Sequence, residues 1–378
     1  MENLLRMGID IGSTTVKVVV IDESNSMLFS RYERHYSEIL DTVKKLVTEA
    51  YDEIGERPIS AMITGSGGVS LSEAVGIPFI QEVVATANAI ENVIPATDVA
   101  IELGGEDAKI IYFEGGNAEE RMNGICAGGT GSFIDQMASL LQTDAGGLNE
   151  LAKNHKIIYP IASRCGVFAK TDIQPLINEG AAREDLAASI FQAVVNQTIS
   201  GLACGKPIRG HVAFLGGPLH FLSELRKRFI ETLKLTDETA LLPENSHLFA
   251  AFGSAISSDK NKSQSFSKLI DNIGKNNVLA VEIARLSPLF KNEEEYDEFN
   301  ERHLKASVPK KNLANYKGNA FLGIDAGSTT TKTALVAEDG SLLYSFYASN
   351  EGNPLKVVIQ SLNELYDIMP ETVKIKNS

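Results

Sequence analysis

Residues 6–11 form a mostly apolar run that carries Asp10 near its end. A short polar turn, Gly12-Ser13-Thr14-Thr15, separates it from a second run, Val16-Lys17-Val18-Val19-Val20-Ile21. After the turn Asp22-Glu23-Ser24-Asn25, a third run extends from Met27 to Tyr32. Short apolar runs bounded by turn residues predict β-strands. The spacing then changes: Ile39, Leu40, Val43, Leu46, Val47 and Ala50 fall on one face of a helix over 38–51. Val99 to Leu103, a Gly104-Gly105 break, and Ala108 to Phe113 predict a second strand–glycine–strand hairpin much like the first. Ala213-Phe214-Leu215 predicts a further strand that breaks on Gly216-Gly217-Pro218, with a helix at about 219–233.

The opening pattern recurs. Gly8-Ile9-Asp10-Ile11-Gly12-Ser13-Thr14-Thr15-Val16-Lys17 returns as Gly323-Ile324-Asp325-Ala326-Gly327-Ser328-Thr329-Thr330-Thr331-Lys332. The copy continues through an acidic turn at Glu338-Asp339-Gly340, a strand from Leu342 to Tyr347 and a helix at about 354–367. It holds only the opening strands and first helix of a unit that runs to about residue 256 in the first copy. The expected organisation is a complete two-lobed unit over 1–256, a linker and helical connector over 257–317, and a truncated second unit over 318–378. The linker is read from the Ser, Lys, Asp and Asn content of 257–268, and the acidic run Asn292 to Glu298 is read as a solvated helix face. A partial copy of this kind leaves strand faces and edges uncovered.

Composition narrows the function classes. The formal charge is −14, and no basic stripe offsets it, which argues against a nucleic-acid partner. The sequence shows no apolar run near the ~20 residues that cross a bilayer and no signal-peptide pattern, so the expected setting is the cytoplasm, away from membrane. The three cysteines, Cys126, Cys165 and Cys204, are too few for a disulfide scaffold.

The hairpins carry candidate chemistry. Gly12 lets the backbone approach an anion, and backbone N–H groups with the Ser13, Thr14 and Thr15 hydroxyls can donate to phosphate oxygens. Asp10 offers a hard oxygen to Mg²⁺ through water, and Lys17 stands in the following strand. In the second hairpin, Gly104 and Gly105 supply N–H groups toward a γ-phosphate, while Glu102, Glu106 or Asp107 orients the attacking water or holds Mg²⁺. Gly216, Gly217 and Pro218 allow a base and ribose to pack against backbone. The loop Thr64-Gly65-Ser66-Gly67-Gly68 reads equally as a nucleotide loop or a turn. A plain glycine turn accounts for any one of these motifs alone. In this order they resemble the actin/hexokinase/Hsp70 (ribonuclease H-like) α/β ATPases, which hold ATP between two similar lobes.

Cys126 precedes the glycine-rich turn Ala127-Gly128-Gly129-Thr130-Gly131, and Phe133, Ile134, Met137, Leu140 and Leu141 continue it at helical spacing. Cys165 follows Arg164 ahead of Gly166-Val167-Phe168-Ala169. Both settings favour an anion or thiolate, and both also suit buried structural thiols. Two thiols cannot complete a four-cysteine iron–sulfur site within one chain, whereas two chains related by a two-fold axis can.

With these segments, the chain resembles the ATP-dependent activators of 2-hydroxyacyl-CoA dehydratases, a family that includes the benzoyl-CoA reductase ATPase subunits (BadF/BadG/BcrA/BcrD-like). The resemblance rests on the Gly-Ile-Asp-x-Gly-Ser-Thr-Thr opening, the Asn123 to Phe133 segment and the Cys165-Gly166-Val167-Phe168-Ala169 segment. It covers about 6–256 and resumes at 321–368, as in large fused members with two activator units. It implies a homodimer with one shared [4Fe–4S] cluster, ligated here by Cys126 and Cys165 of each chain. It also implies MgATP-driven delivery of one low-potential electron from a donor such as ferredoxin or flavodoxin to an acyl-CoA dehydratase component. The family's Asp-Ile-Gly-Gly-Gln-Asp stands here as Glu102-Leu103-Gly104-Gly105-Glu106-Asp107. Cys204 matches no ligand position. Two other readings remain: a sugar or acetate kinase of the same fold, and a regulatory nucleotide-binding domain without a cluster.

Overall fold

Strand β1 (Leu5–Ile11) is buried along its whole length, because neighbours flank it on both edges and both faces. β2 (Thr15–Ile21) folds back on it antiparallel, and β3 (Met27–Arg34) does the same to β2. Helix α1 (Ile39–Ile54) crosses the sheet and returns the chain as β4 (Pro58–Thr64), parallel to β1. On one face Leu5, Met7 and Ile9 pack against Val43, Leu46 and Val47 of α1, the side chains whose spacing predicts that helix. The computed structural model describes residues 4–114, 117–123, 128–162, 166–275, 287–350 and 352–377.

Helices α2 (Gly68–Val75) and α3 (Glu82–Val93) lead to a second sheet. It starts with β5 (Val99–Leu103), β6 (Ala108–Glu114) and β7 (Asn117–Met122), joined antiparallel. Four helices follow: α4 (Gly131–Leu140), α5 (Ala145–Ala152), α6 (Gly166–Asn178) and α7 (Arg183–Thr198). β8 (Val212–Leu215) then joins β5 in parallel. The helix expected at 219–233 is two, α8 (Gly217–Phe221) and α9 (Ser223–Leu233). They break at Leu222, whose backbone leaves the helical region (φ −102, ψ 89) while its side chain stays buried. β9 (Ala240–Leu241) ends this sheet, in the order β7-β6-β5-β8-β9.

Helix α10 (Phe249–Ser257) returns to the first sheet. One core holds Val19 and Ile21 of β2, Ile90 of α3, Ile111 of β6, Leu215 of β8 and Ala251 of α10, so α3 and α10 pack with both sheets. Within 257–268, β10 (Gln264–Ser265) pairs antiparallel with β4. Helix α11 (Phe266–Lys275) then buries Phe266, Leu269 and Ile273 in the same core as α1. The stretch Arg183–Ala203 is 21 residues long and apolar enough by composition to cross a bilayer, but 67% of its most apolar 18-residue window is buried inside the fold.

By contacts the chain forms two compact units, and all but short pieces of the foregoing lie in the first. The second contains the residues from 281 onward, with the short pieces 140–142 and 171–183. In it, helix α12 (Glu293–Leu304) buries none of its residues, and Asn292 caps it through Glu295 N–H (2.9 Å). β11 (Gly318–Ala326), β12 (Thr330–Ala337), β13 (Leu342–Ser349), helix α13 (Pro354–Ile368) and β14 (Val373–Asn377) follow. The sheet order β13-β12-β11-β14 reproduces β3-β2-β1-β4 strand for strand, with the same parallel and antiparallel pairings. Ala320, Leu335 and Leu365 form its small core. On the other face Phe321 (40% exposed) and Tyr347 (71% exposed) lie open.

Candidate nucleotide site

Three hairpins share one construction. Each has an acid near the end of its first strand, glycine two positions on, and lysine seven positions on: Asp10, Gly12, Lys17; Glu102, Gly104, Lys109; Asp325, Gly327, Lys332. In each the glycine N–H donates to the carbonyl three residues later, at 2.9, 2.8 and 3.0 Å. The registers place each lysine directly opposite its acid, so both side chains leave the same face of the sheet.

The first two hairpins meet tip to tip across a cleft of about 200 Å³. Gly105 makes this approach possible: a Cβ there would stand 2.4 Å from Thr14 Oγ1 and 2.9 Å from Ser13 Oγ. From the first hairpin the cleft takes Asp10, Gly12, Ser13, Thr14, Thr15 and Lys17. From the second it takes Glu102, Gly104, Gly105 and Asp107, and from the β8 turn Gly216, Gly217 and Pro218. Gly216 adopts φ +87, and a Cβ would lie 2.1 Å from Leu103 O, so no other residue fits where β8 passes β5. Ser66, from the glycine-rich loop after β4, also reaches the cleft. Glu106 does not: it is exposed and lies outside the cleft lining.

Charge is concentrated here. Asp10 Oδ2 accepts from Lys17 Nζ at 2.8 Å, with the two side chains 3% and 16% exposed. Burial opposes the charge on Lys17, but Asp10 outweighs it and holds the ammonium above its usual range. Asp10 Oδ1 is buried without a hydrogen-bond partner, and so is Glu102 Oε2. Burial pushes the Glu102 carboxyl up. Buried acceptors of this kind cost ~1–3 kcal/mol each unless a ligand, ion or water satisfies them. A hard cation with its water shell fits Asp10 Oδ1, and a nucleophilic water fits Glu102 Oε2.

The sequence reading missed several cleft residues. Glu82 opens α3 and pairs with Lys109 at 2.6 Å. Tyr32, Phe221 and His247 form an aromatic wall, with Tyr32 5.5 Å from each of the other two rings. Burial, together with His220 and Lys17, lowers His247 to about 4, so it is neutral at pH 7. Their signals are weak: isolated aromatic and acidic residues tens of positions apart meet only through the fold.

Cys126 and Cys165 lie outside the described residues. Their helices are described. α4 begins on the second hairpin: Gly131 N–H donates to Gly104 O (2.9 Å) and Ser132 N–H to Gly105 O (2.7 Å). The first two N–H groups of α4 thus engage the hairpin. A Cβ at Gly166, the first residue of α6, would lie 3.2 Å from the Phe133 ring of α4, so the first turns of the two helices touch. Cys204 is free, exposed and outside the cleft. In the second unit the Asp325–Lys332 pair is kept at 2.9 Å, but its side chains are 67% and 44% exposed.

Comparison with known proteins agrees with this geometry. Residues 7–235 match the BadF/BadG/BcrA/BcrD ATPase family. A 2-hydroxyisocaproyl-CoA dehydratase activator from Clostridioides difficile is 31% identical over 217 residues, 56% of this chain and 80% of that protein. The crystal structure of component A of the (R)-2-hydroxyglutaryl-CoA dehydratase of Acidaminococcus fermentans superposes with TM-score 0.59 at 25% identity. It covers 70% of this chain and 99% of that one. A structure of the C. difficile activator with bound ADPNP shares the fold at TM-score 0.58 and 23% identity, covering 75% of this chain and all of that one. The fold is that of the actin/hexokinase/Hsp70-like ATPases, with a partial second copy of its opening sheet at the C-terminus.

Proposed function

The chain belongs to the BadF/BadG/BcrA/BcrD ATPase family, and on that premise we propose that it hydrolyses ATP to drive one low-potential electron onto a 2-hydroxyacyl-CoA dehydratase-type partner. The names of its relatives support the partner class. The observation that carries the coupling is the pair of hydrogen bonds from Gly131 and Ser132 of α4 to Gly104 and Gly105 of the second hairpin. A hairpin that moves when the γ-phosphate leaves must move the first turn of α4 with it.

In this reading the Ser13, Thr14 and Thr15 hydroxyls and the hairpin N–H groups bind the phosphates. Asp10, with Oδ1 unpartnered, holds Mg²⁺ through water, and Mg²⁺ supplies charge neutralisation at the phosphates. Gly216, Gly217 and Pro218 receive the adenosine. Glu102 orients the attacking water. Glu106 is exposed and stands outside the cleft lining, so Glu102 is assigned the water in its place. Cys126 and Cys165 of two chains would hold a shared [4Fe–4S] cluster, which would supply a one-electron carrier for a ferredoxin- or flavodoxin-type donor. The contact of Gly166 with Phe133 supports a common site, since it joins the helices that follow the two cysteines. Turning helix N-termini near a cluster changes its potential through the field.

Anaerobic reconstitution with iron and sulfide tests the proposal. About four irons per dimer and an EPR signal of the reduced protein that changes with ATP are expected. Cys126→Ser is expected to lose the iron while binding ATP as before. Full iron content in that variant would remove Cys126 from the ligand set. ATP consumption that depends on a sugar or acetate acceptor, without iron, would favour a kinase.

A further inference from the structure

The three hairpins differ in one respect. In the first and third, the lysine pairs with the acid opposite it, Lys17 with Asp10 at 2.8 Å and Lys332 with Asp325 at 2.9 Å. In the second, the lysine makes its closest contacts elsewhere, although Glu102 remains the strongest charge acting on it. Lys109 Nζ is 2.6 Å from Glu82 Oε1 and 2.7 Å from Asp107 Oδ2, and among the described residues it makes no ion pair with Glu102. Its side chain is only 5% exposed, so the arrangement is a buried one with little freedom to rearrange. Glu102 Oε2 is left buried and unpartnered. The register still places Lys109 directly opposite Glu102.

We propose that Glu82 and Lys109 are positioning residues for hydrolysis: Glu82, with Asp107, draws Lys109 off its cross-strand partner and leaves the Glu102 carboxylate free to accept a hydrogen bond from the attacking water. A lysine paired with Glu102, as Lys17 pairs with Asp10, would take one of its two oxygens and draw charge from the other, weakening it as an acceptor for the water. In the reaction the water oxygen bonds to the γ-phosphorus as the bridging P–O bond to ADP breaks. One water proton remains on the phosphate product and the other leaves to solvent. Glu102 acts on the water, whereas Glu82 and Lys109 act only through Glu102.

The inference rests on the ATPase reading, and the experiment separates the two. Phosphate release and equilibrium binding of a fluorescent ATP analogue are measured on the full chain for wild type, Glu82→Gln and Glu82→Asp. Glu82→Gln keeps the side-chain shape, and a thermal melt confirms folding. With Lys109 released to Glu102, kcat is expected to fall about 30-fold while analogue affinity stays within about 3-fold. Glu82→Asp, which keeps the charge, is expected to recover most of the loss. Unchanged kcat in Glu82→Gln overturns the inference and leaves the ATPase reading standing. A joint loss of kcat and affinity that Glu82→Asp does not repair also overturns it, since Glu82 then only supports the cleft wall. A wild-type chain that binds nucleotide without releasing phosphate removes the ATPase reading and this inference with it.

Discussion

Asp10→Asn is expected to lower kcat for ATP hydrolysis by about 10²–10³-fold, the scale seen when one preorganised charge contact to a transition state is lost. Two effects of the substitution add. The amide cannot supply the anionic oxygen that Oδ1 offers to a hydrated divalent cation, so the Mg²⁺ concentration for half-maximal activity should rise as well. Lys17, 16% exposed and ion-paired among the described residues only with Asp10, loses its counter-charge. Breaking one side of a buried pair costs ~3–5 kcal/mol, so a denaturant melt must accompany the assay. Phosphate release against Mg²⁺ concentration reads the effect. The internal repeat supplies the control: Asp325→Asn alters the same motif where the pair is 67% and 44% exposed, and both hydrolysis and stability should stay near wild type.

Gly253→Val is expected to destabilise the first unit by more than ~4 kcal/mol, or to prevent folding. A Cβ at Gly253 would lie 1.7 Å from Ala85 O, and one at Gly8 would lie 1.8 Å from Ala251 O. Helix α10 therefore touches α3 and β1 backbone to backbone. No rotamer relieves such a contact, so α10 must lift off and open the core that it shares with Ile90, Ile111 and Leu215. Chemical denaturation monitored by circular dichroism checks this. Gly323→Val makes the comparison within one chain. Gly323 stands where Gly8 stands in the first copy, but its Cβ would find only Ala334 O, at 4.0 Å. That variant should shift stability by no more than ~1 kcal/mol.

Local pattern carried the hairpins into the sequence reading. Acid, glycine and lysine sit at fixed short spacings there, and the strand period decides which side chains share a face. The same logic located Gly216-Gly217-Pro218. Glu82 could not be found this way. By sequence it is an acid in the first turn of a helix, a common placement beside the helix dipole. Its meaning comes from Lys109, which the fold brings to it from 27 residues away. Glu106 shows the converse. The motif includes it, but the turn directs it to solvent while Glu102, back in the strand, faces inward. Residues 257–268 read as linker from their Ser, Lys, Asp and Asn, yet Phe266 within them starts a helical stripe, continued by Leu269 and Ile273, that buries in the first core.

The link between α4 and the second hairpin runs entirely through main-chain atoms, Gly131 and Ser132 N–H to Gly104 and Gly105 carbonyls. Side-chain replacement at Ser132 leaves it intact, so the connection is robust to most point mutations and invisible to alanine scanning. Proline is the exception. In the first turn of a helix it fits the backbone and removes only the N–H. Ser132→Pro should therefore unfasten one of the two bonds without unmaking the helix, leaving a chain that still hydrolyses ATP but transmits less of each turnover.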